Sequence, residues 1–150
     1  MEGEAVFKRI LVAYDNGDKA KKAVEEAIEI AKAGNGEICL LSSVKMPGFI
    51  TTVTTPDMIK DLQEDTRKYF TEVLKGYEEK IINEGIKASF VILDESPGKG
   101  IVRYAEKENF DLIIMGSANR GTVERIFLGL GSVSNYVLQH AKCPVLVVKG

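Results

Sequence analysis

Hydrophobic positions along the chain alternate between two patterns. Short apolar runs recur at Lys8–Tyr14, Glu37–Val44, Ile86–Leu93, Leu112–Met115 and Pro144–Val148. These runs lack polar alternation, which suits strands covered on both faces, as in a parallel sheet. Between them the spacing changes. Ala20, Ala23, Val24, Ala27, Ile28 and Ala31 recur at three- and four-residue steps, the stripe of an amphipathic helix. Asp18 is its expected side-chain cap, and Gly34-Asn35-Gly36 ends it. Ile59, Leu62, Phe70, Val73, Leu74, Tyr77, Ile81 and Ile82 predict a long helix from Pro56 to a left-handed stop at Gly85. Ser96-Pro97 reads as a cap followed by a first-turn proline, and Ile101, Val102, Tyr104 and Ala105 supply the buried side of that helix. A last helix spans about Ser132 to His140, where the sole histidine can meet free carbonyls. Lys45–Thr55 fits neither pattern. Its Pro47, Gly48 and the Thr51–Thr55 run oppose a helix, so a mobile loop is expected, either a lid over a ligand or a plain connection.

Strands and helices alternate as β-α-β-α-β-α-β-α-β. That order predicts one α/β domain over residues 1–150: an open five-stranded parallel sheet with helices on both faces. Residues 1–7 are expected to lie outside its ordered part. Ligands of such sheets bind beyond the carboxyl ends of the strands, where strand order reverses. The residues to examine are therefore Asp15 after strand one, Ser42-Ser43-Val44 after strand two, and Met115-Gly116 after strand four.

Composition narrows the function classes. The 150 residues are 45% hydrophobic and 28% charged, ordinary for a globular protein, and a formal charge of −2 opposes a nucleic-acid surface. No apolar run reaches the roughly 20 residues of a membrane span. The acidic N-terminal stretch lacks a secretory core. Cys39 and Cys143 have no metal-ligand spacing and read as small hydrophobes of a reducing compartment. The expected location is the cytoplasm, with neither nucleic acid nor membrane as partner.

The candidate chemistry lies after strand four. Four glycines (Gly116, Gly121, Gly129, Gly131) lead to Ser132 and a helix start. Glycines let a backbone approach a bulky anion, and free N–H groups at a helix start point at its charge. No G-x-x-x-x-G-K-[ST] is present, and Gly129-Leu-Gly131 with Ser134 is only half of G-x-G-x-x-G and does not directly follow a strand. There is no G-x-S-x-G elbow, no nucleophile–base pair and no carboxylate cluster spaced for a metal. No catalytic residue is therefore assigned. Asp15 is either a ligand acceptor or a brace for the Asn16-Gly17 turn; Ser132 is either a phosphate ligand or an N-cap. Arg120 and Arg125 either pair with phosphate or stand in solvent.

Four stretches together make the resemblance specific: Arg9-Ile-Leu-Val-Ala-Tyr-Asp15, Asp111-Leu-Ile-Ile-Met-Gly-Ser117, Glu124-Arg-Ile-Phe-Leu128, and Gly131-Ser-Val-Ser-Asn-Tyr-Val-Leu-Gln-His-Ala-Lys-Cys-Pro-Val-Leu-Val-Val148. The chain resembles the universal stress proteins over nearly its whole length. The ATP-binding branch of that family carries G-x2-G-x9-G-[ST] after strand four. Gly121-x9-Gly131-Ser132 satisfies the second half, while Gly116 and Gly121 stand four residues apart and not two, with Asn119 at the family's spacing. The resemblance implies a Rossmann-like fold of the adenine nucleotide alpha hydrolase kind. It implies ATP, ADP or AMP as ligand, with Mg2+ or Mn2+. Ala13, Tyr14, Asp15, Ser43 and Val44 would face adenine and ribose. Met115, Gly116 and Ser117 would border the ribose and first phosphate, and Arg120, Gly121, Gly131, Ser132 and Val133 the outer phosphates. It also implies a homodimer through strand 144–148 and a sensor or switch in the stress response, with ATP hydrolysis slow at most. A nucleotide-free interaction module is the alternative.

Overall fold

The computed structural model describes residues 6–46, 50–117 and 132–149, Thr51 by its backbone alone. Strands β1 (Arg9–Ala13), β2 (Glu37–Ser43), β3 (Ala88–Leu93), β4 (Leu112–Gly116) and β5 (Val145–Val148) alternate with helices. The helices are α1 (Asp18–Gly34), α2 (Ile50–Val53), α3 (Pro56–Asn83), α4 (Pro97–Lys107) and α5 (Ser132–His140). The strands form one sheet in the order β3-β2-β1-β4-β5, every pair parallel. β1 is central: Ala13 pairs with Leu41 of β2 on one side and with Met115 of β4 on the other.

The uninterrupted apolar runs now resolve into two faces, because successive side chains on a strand point to opposite sides. Ile10, Val12 and Tyr14 pack with the alanines of α1 and with Leu74 and Ile81 of α3. Leu11 and Ala13 pack on the other side, with Ile101 and Ala105 of α4 and Val133 and Val137 of α5. The sheet is therefore covered twice, which is why its strands need no polar alternation.

The α1 stripe is buried as its spacing predicts, all six residues of it. Its C-terminal stop is Asn35 in the left-handed region (φ 61°), whose N–H returns to the Ala31 carbonyl. At the other end Asp18 is not the cap. Gly17 occupies that position and makes no side-chain capping bond, while Asp18 is the first helical residue. There its negative charge favours the positive end of the helix dipole.

Helix α3 departs further from its pattern. Of its expected stripe only Leu74 and Ile81 are buried, while Leu62 is 44% and Ile82 50% exposed. A helix of 28 residues is about 42 Å long, whereas strands of four to seven residues span only about 13–23 Å. The N-terminal half of α3 overhangs the sheet, and Ile82, one step past Ile81, turns about 100° away from it. Gly85 takes the left-handed conformation expected of it (φ 84°).

Two further expectations need correction. Ile50–Val53 forms one helical turn inside the stretch read as loop. The β-branched penalty is only a few tenths of a kcal/mol per residue, too small to forbid a single turn of four residues. Phe7, placed among the disordered N-terminal residues, packs against the α1–α3 core. Residues 1–5 lie outside the described residues.

Candidate functional site

Strand order reverses between β1 and β4: β1 leads by α1 to β2 on one side, and β3 leads by α4 to β4 on the other. The carboxyl ends of these neighbours diverge into separate turns, leaving a crevice. Asp15 stands exposed at the exit of β1, and its Oδ1 accepts from the Gly17 N–H at 2.9 Å. The brace expected of Asp15 is thus formed, and the second carboxylate oxygen makes no hydrogen bond among the described residues.

Tyr14, one residue earlier, faces the α1–α3 layer and is 4% exposed. Its ring lies against Tyr77 with centroids 5.3 Å apart. Its N–H donates to Leu41 O at 2.8 Å, and its carbonyl accepts the buried Ser42 hydroxyl at 2.7 Å. Burial, reinforced by Tyr77, holds the Tyr14 hydroxyl in its neutral form well above the ordinary tyrosine range. Tyr14 belongs to the α1–α3 core, with its polar backbone already satisfied. Ser42, read with Ser43 and Val44 as an exit residue of strand two, is buried with its hydroxyl committed to the Tyr14 carbonyl, as a serine inside an apolar run requires.

At the end of β2, Val44 is 4% exposed and its N–H donates to Leu93 O at 2.9 Å, extending the ladder to β3. The Ser43 hydroxyl donates to the Glu95 carbonyl, away toward the start of α4. Ala13 and Met115 pack in the α4–α5 layer, Met115 being 4% exposed.

Gly116 closes β4, and its need for glycine is structural as well as chemical. A Cβ placed there would meet the backbone carbonyl carbon of Lys19 at 2.6 Å, so the first turn of α1 sits directly on this residue. Nothing in the sequence signals that contact. Ser117 is 7% exposed and donates its N–H to Val148 O at 2.9 Å. The first turn of α5 lies beside these residues: the buried Ser134 hydroxyl is 3.5 Å from Gly116 O, the outer limit of a hydrogen bond. Ser132 is exposed and Val133 half-buried at that helix start. Arg120, Gly121 and Gly131, along with Arg125, lie outside the described residues.

The model of the universal stress protein family matches residues 7–149. The chain belongs to the universal stress protein family. A universal stress protein of Methanocaldococcus jannaschii is 34% identical over 149 residues, covering 98% of this chain and 85% of the relative. The solved structure of hypothetical protein MJ0577 superposes with a TM-score of 0.82 at 25% identity, over 97% of this chain and 98% of that one. A universal stress protein of Archaeoglobus fulgidus, solved in complex with dAMP, has a TM-score of 0.65 at 22% identity, over 96% and 99%. That last likeness is one of fold. At the C-terminal end of α5, His140 Nδ1 lies 2.9 Å from Tyr136 O, a carbonyl one turn back and not one of the free ones expected, and the imidazole stacks on the Tyr136 ring. No helix among the described residues is long and apolar enough to cross a membrane.

Proposed function

We propose that this universal stress protein binds an adenine nucleotide, ATP first, in the crevice at the carboxyl ends of β1, β2 and β4. It then works as a stress-response sensor or switch. The observation carrying this reading is that the exposed Asp15 turn, the end of β4 and the first turn of α5 share one end of the sheet, Ser134 reaching to Gly116. The residues fit such a ligand. The second oxygen of Asp15 can accept from a ribose hydroxyl or the adenine amino group. Ala13, Tyr14, Ser43 and Val44 wall the adenosine side. Met115, Gly116 and Ser117 border the ribose and first phosphate. Arg120, Gly121, Gly131, Ser132 and Val133 hold the outer phosphates, where the start of α5 favours negative charge. Mg2+ or Mn2+ would enter largely on the phosphates and neutralise them. Hydrolysis, if any, is slow, and the protein acts in the cytoplasm as a homodimer.

A second reading, a nucleotide-free interaction module, has its own observation. Gly116 already has a packing reason to be glycine, and its separation from Gly121 departs from the family motif. The two readings part on one experiment: purified protein is denatured, the supernatant is assayed for released nucleotide, and ATP with magnesium is titrated calorimetrically. Released adenine nucleotide or a saturable isotherm is expected, with affinity reduced about ten- to a hundredfold in Asp15→Ala, a hydrogen bond to a charged group being worth about 1.5–3 kcal/mol. Neither nucleotide nor heat of binding would leave only the interaction module.

A further inference from the structure

Asn16 lies between Asp15 and the start of α1 with its backbone in the left-handed region, φ 69°. That conformation is a minority state for any residue with a side chain. Here the side chain is held from two directions. The Tyr14 hydroxyl donates to Asn16 Oδ1 at 3.0 Å, and Asn16 Nδ2 donates to the Tyr69 hydroxyl at 2.9 Å. Tyr14 is buried in the core. Tyr69 belongs to the overhanging half of α3, is 48% exposed, and meets Phe70 edge-on with ring centroids 5.4 Å apart. The long helix therefore reaches the Asp15 turn through Asn16, beside the ring contact of its Tyr77 with Tyr14.

We propose that Asn16 and Tyr69 are positioning residues for Asp15. Clamped between a buried and a surface tyrosine, Asn16 keeps the turn left-handed. The turn in turn fixes the carboxylate that caps Gly17 and offers its other oxygen to the ligand. The inference rests on the nucleotide reading above. It adds that α3, through Tyr69, sets how well Asp15 is presented. A half-exposed hydroxyl contributes little to global stability, so its loss is read at the site and not in the fold.

The test uses the full chain. Tyr69→Phe removes one bond, and Asn16→Gly removes both while tolerating the left-handed backbone. Calorimetry with ATP and magnesium is expected to show a loss of about three- to tenfold for Tyr69→Phe, the range of one net hydrogen bond, and at least as much for Asn16→Gly. Thermal midpoints should stay within about 2 °C of wild type for Tyr69→Phe. In an Asp15→Ala background, Tyr69→Phe should cost nothing further, because contacts acting through a shared residue are not additive. Exchange of the Gly17 amide in ligand-free protein should quicken in Tyr69→Phe. An undiminished additional loss in the Asp15→Ala background, or unchanged affinity with unchanged Gly17 exchange, would overturn the proposal. If wild type binds no nucleotide, the functional reading falls. Gly17 exchange alone then decides the tether: quickened exchange supports it and unchanged exchange sinks it.

Discussion

Asp15 and Gly116 stand at the exits of the neighbouring strands β1 and β4, at the central reversal of the sheet, yet the two positions answer to different demands. Asp15 is exposed and commits one oxygen to Gly17, so truncating it should lower the affinity for the proposed nucleotide far more than the stability of the fold. Gly116 is the reverse. Any Cβ there collides with the Lys19 backbone at 2.6 Å, and backbone cannot rotate away as a side chain can. Gly116→Val should destabilise the protein by about 1–3 kcal/mol or more, the range for overpacking, seen as a lower urea midpoint with an unchanged slope. A variant of wild-type stability would show that α1 yields at that contact. Glycine at 116 was legible as a loop signal, but the close approach of a helix from a hundred residues away was not. Asn16 is a parallel case: its place in a turn was readable, while its partner Tyr69 stands 53 positions later.

At the scale of elements, α3 separates what a hydrophobic stripe signals from what a sheet can bury. Leu62 and Leu74 are the same residue type in one continuous pattern, and they are 44% and 0% exposed. Leu74→Ala should cost about 2–5 kcal/mol, the range for a core leucine, whereas Leu62→Ala should stay within about 0.5 kcal/mol of wild type, as surface changes usually do. Chemical denaturation of both variants measures the difference, and equal costs would mean that the overhanging half is covered in solution. Helix α1 shows the opposite limit. With 17 residues lying along the strands, its whole alanine-rich stripe finds the sheet, and periodicity alone named it correctly. Helices α4 and α5 also meet closely: a Cβ on Gly98 would stand 2.9 Å from the Tyr136 ring.

For the whole molecule, the strand order leaves β5 at an edge, open to the pairing with a second copy proposed above. The carbonyls of Pro144 and Val148 accept from the N–H groups of Ile113 in β4 and Ser117 just after it. Residues of a parallel strand alternate in the side to which they turn their backbone groups, so Val145 and Val147 point theirs outward. Proline at an edge position removes one outward donor without breaking the ladder to β4. Val147→Pro should therefore convert a homodimer to monomer at concentrations where wild type pairs, as read by sedimentation. A dimer that persists in this variant would place the interface elsewhere.

The sequence by itself determined the layered α/β architecture, because uninterrupted apolar runs of strand length can be buried only between two helical layers. It likewise determined the family, through motifs spread across the chain, and it pointed to the carboxyl ends of strands one, two and four. Tertiary structure alone decided which of those residues remain free to meet a ligand. Tyr14 and Val44 have backbone groups committed to the sheet, Ser43 is turned to Glu95, and Gly116 is pressed against α1. Local propensity and spacing are properties of neighbours in the chain. A hydrogen-bond partner or a steric limit is set by segments that meet only when the sheet assembles, and those meetings leave no period in the sequence.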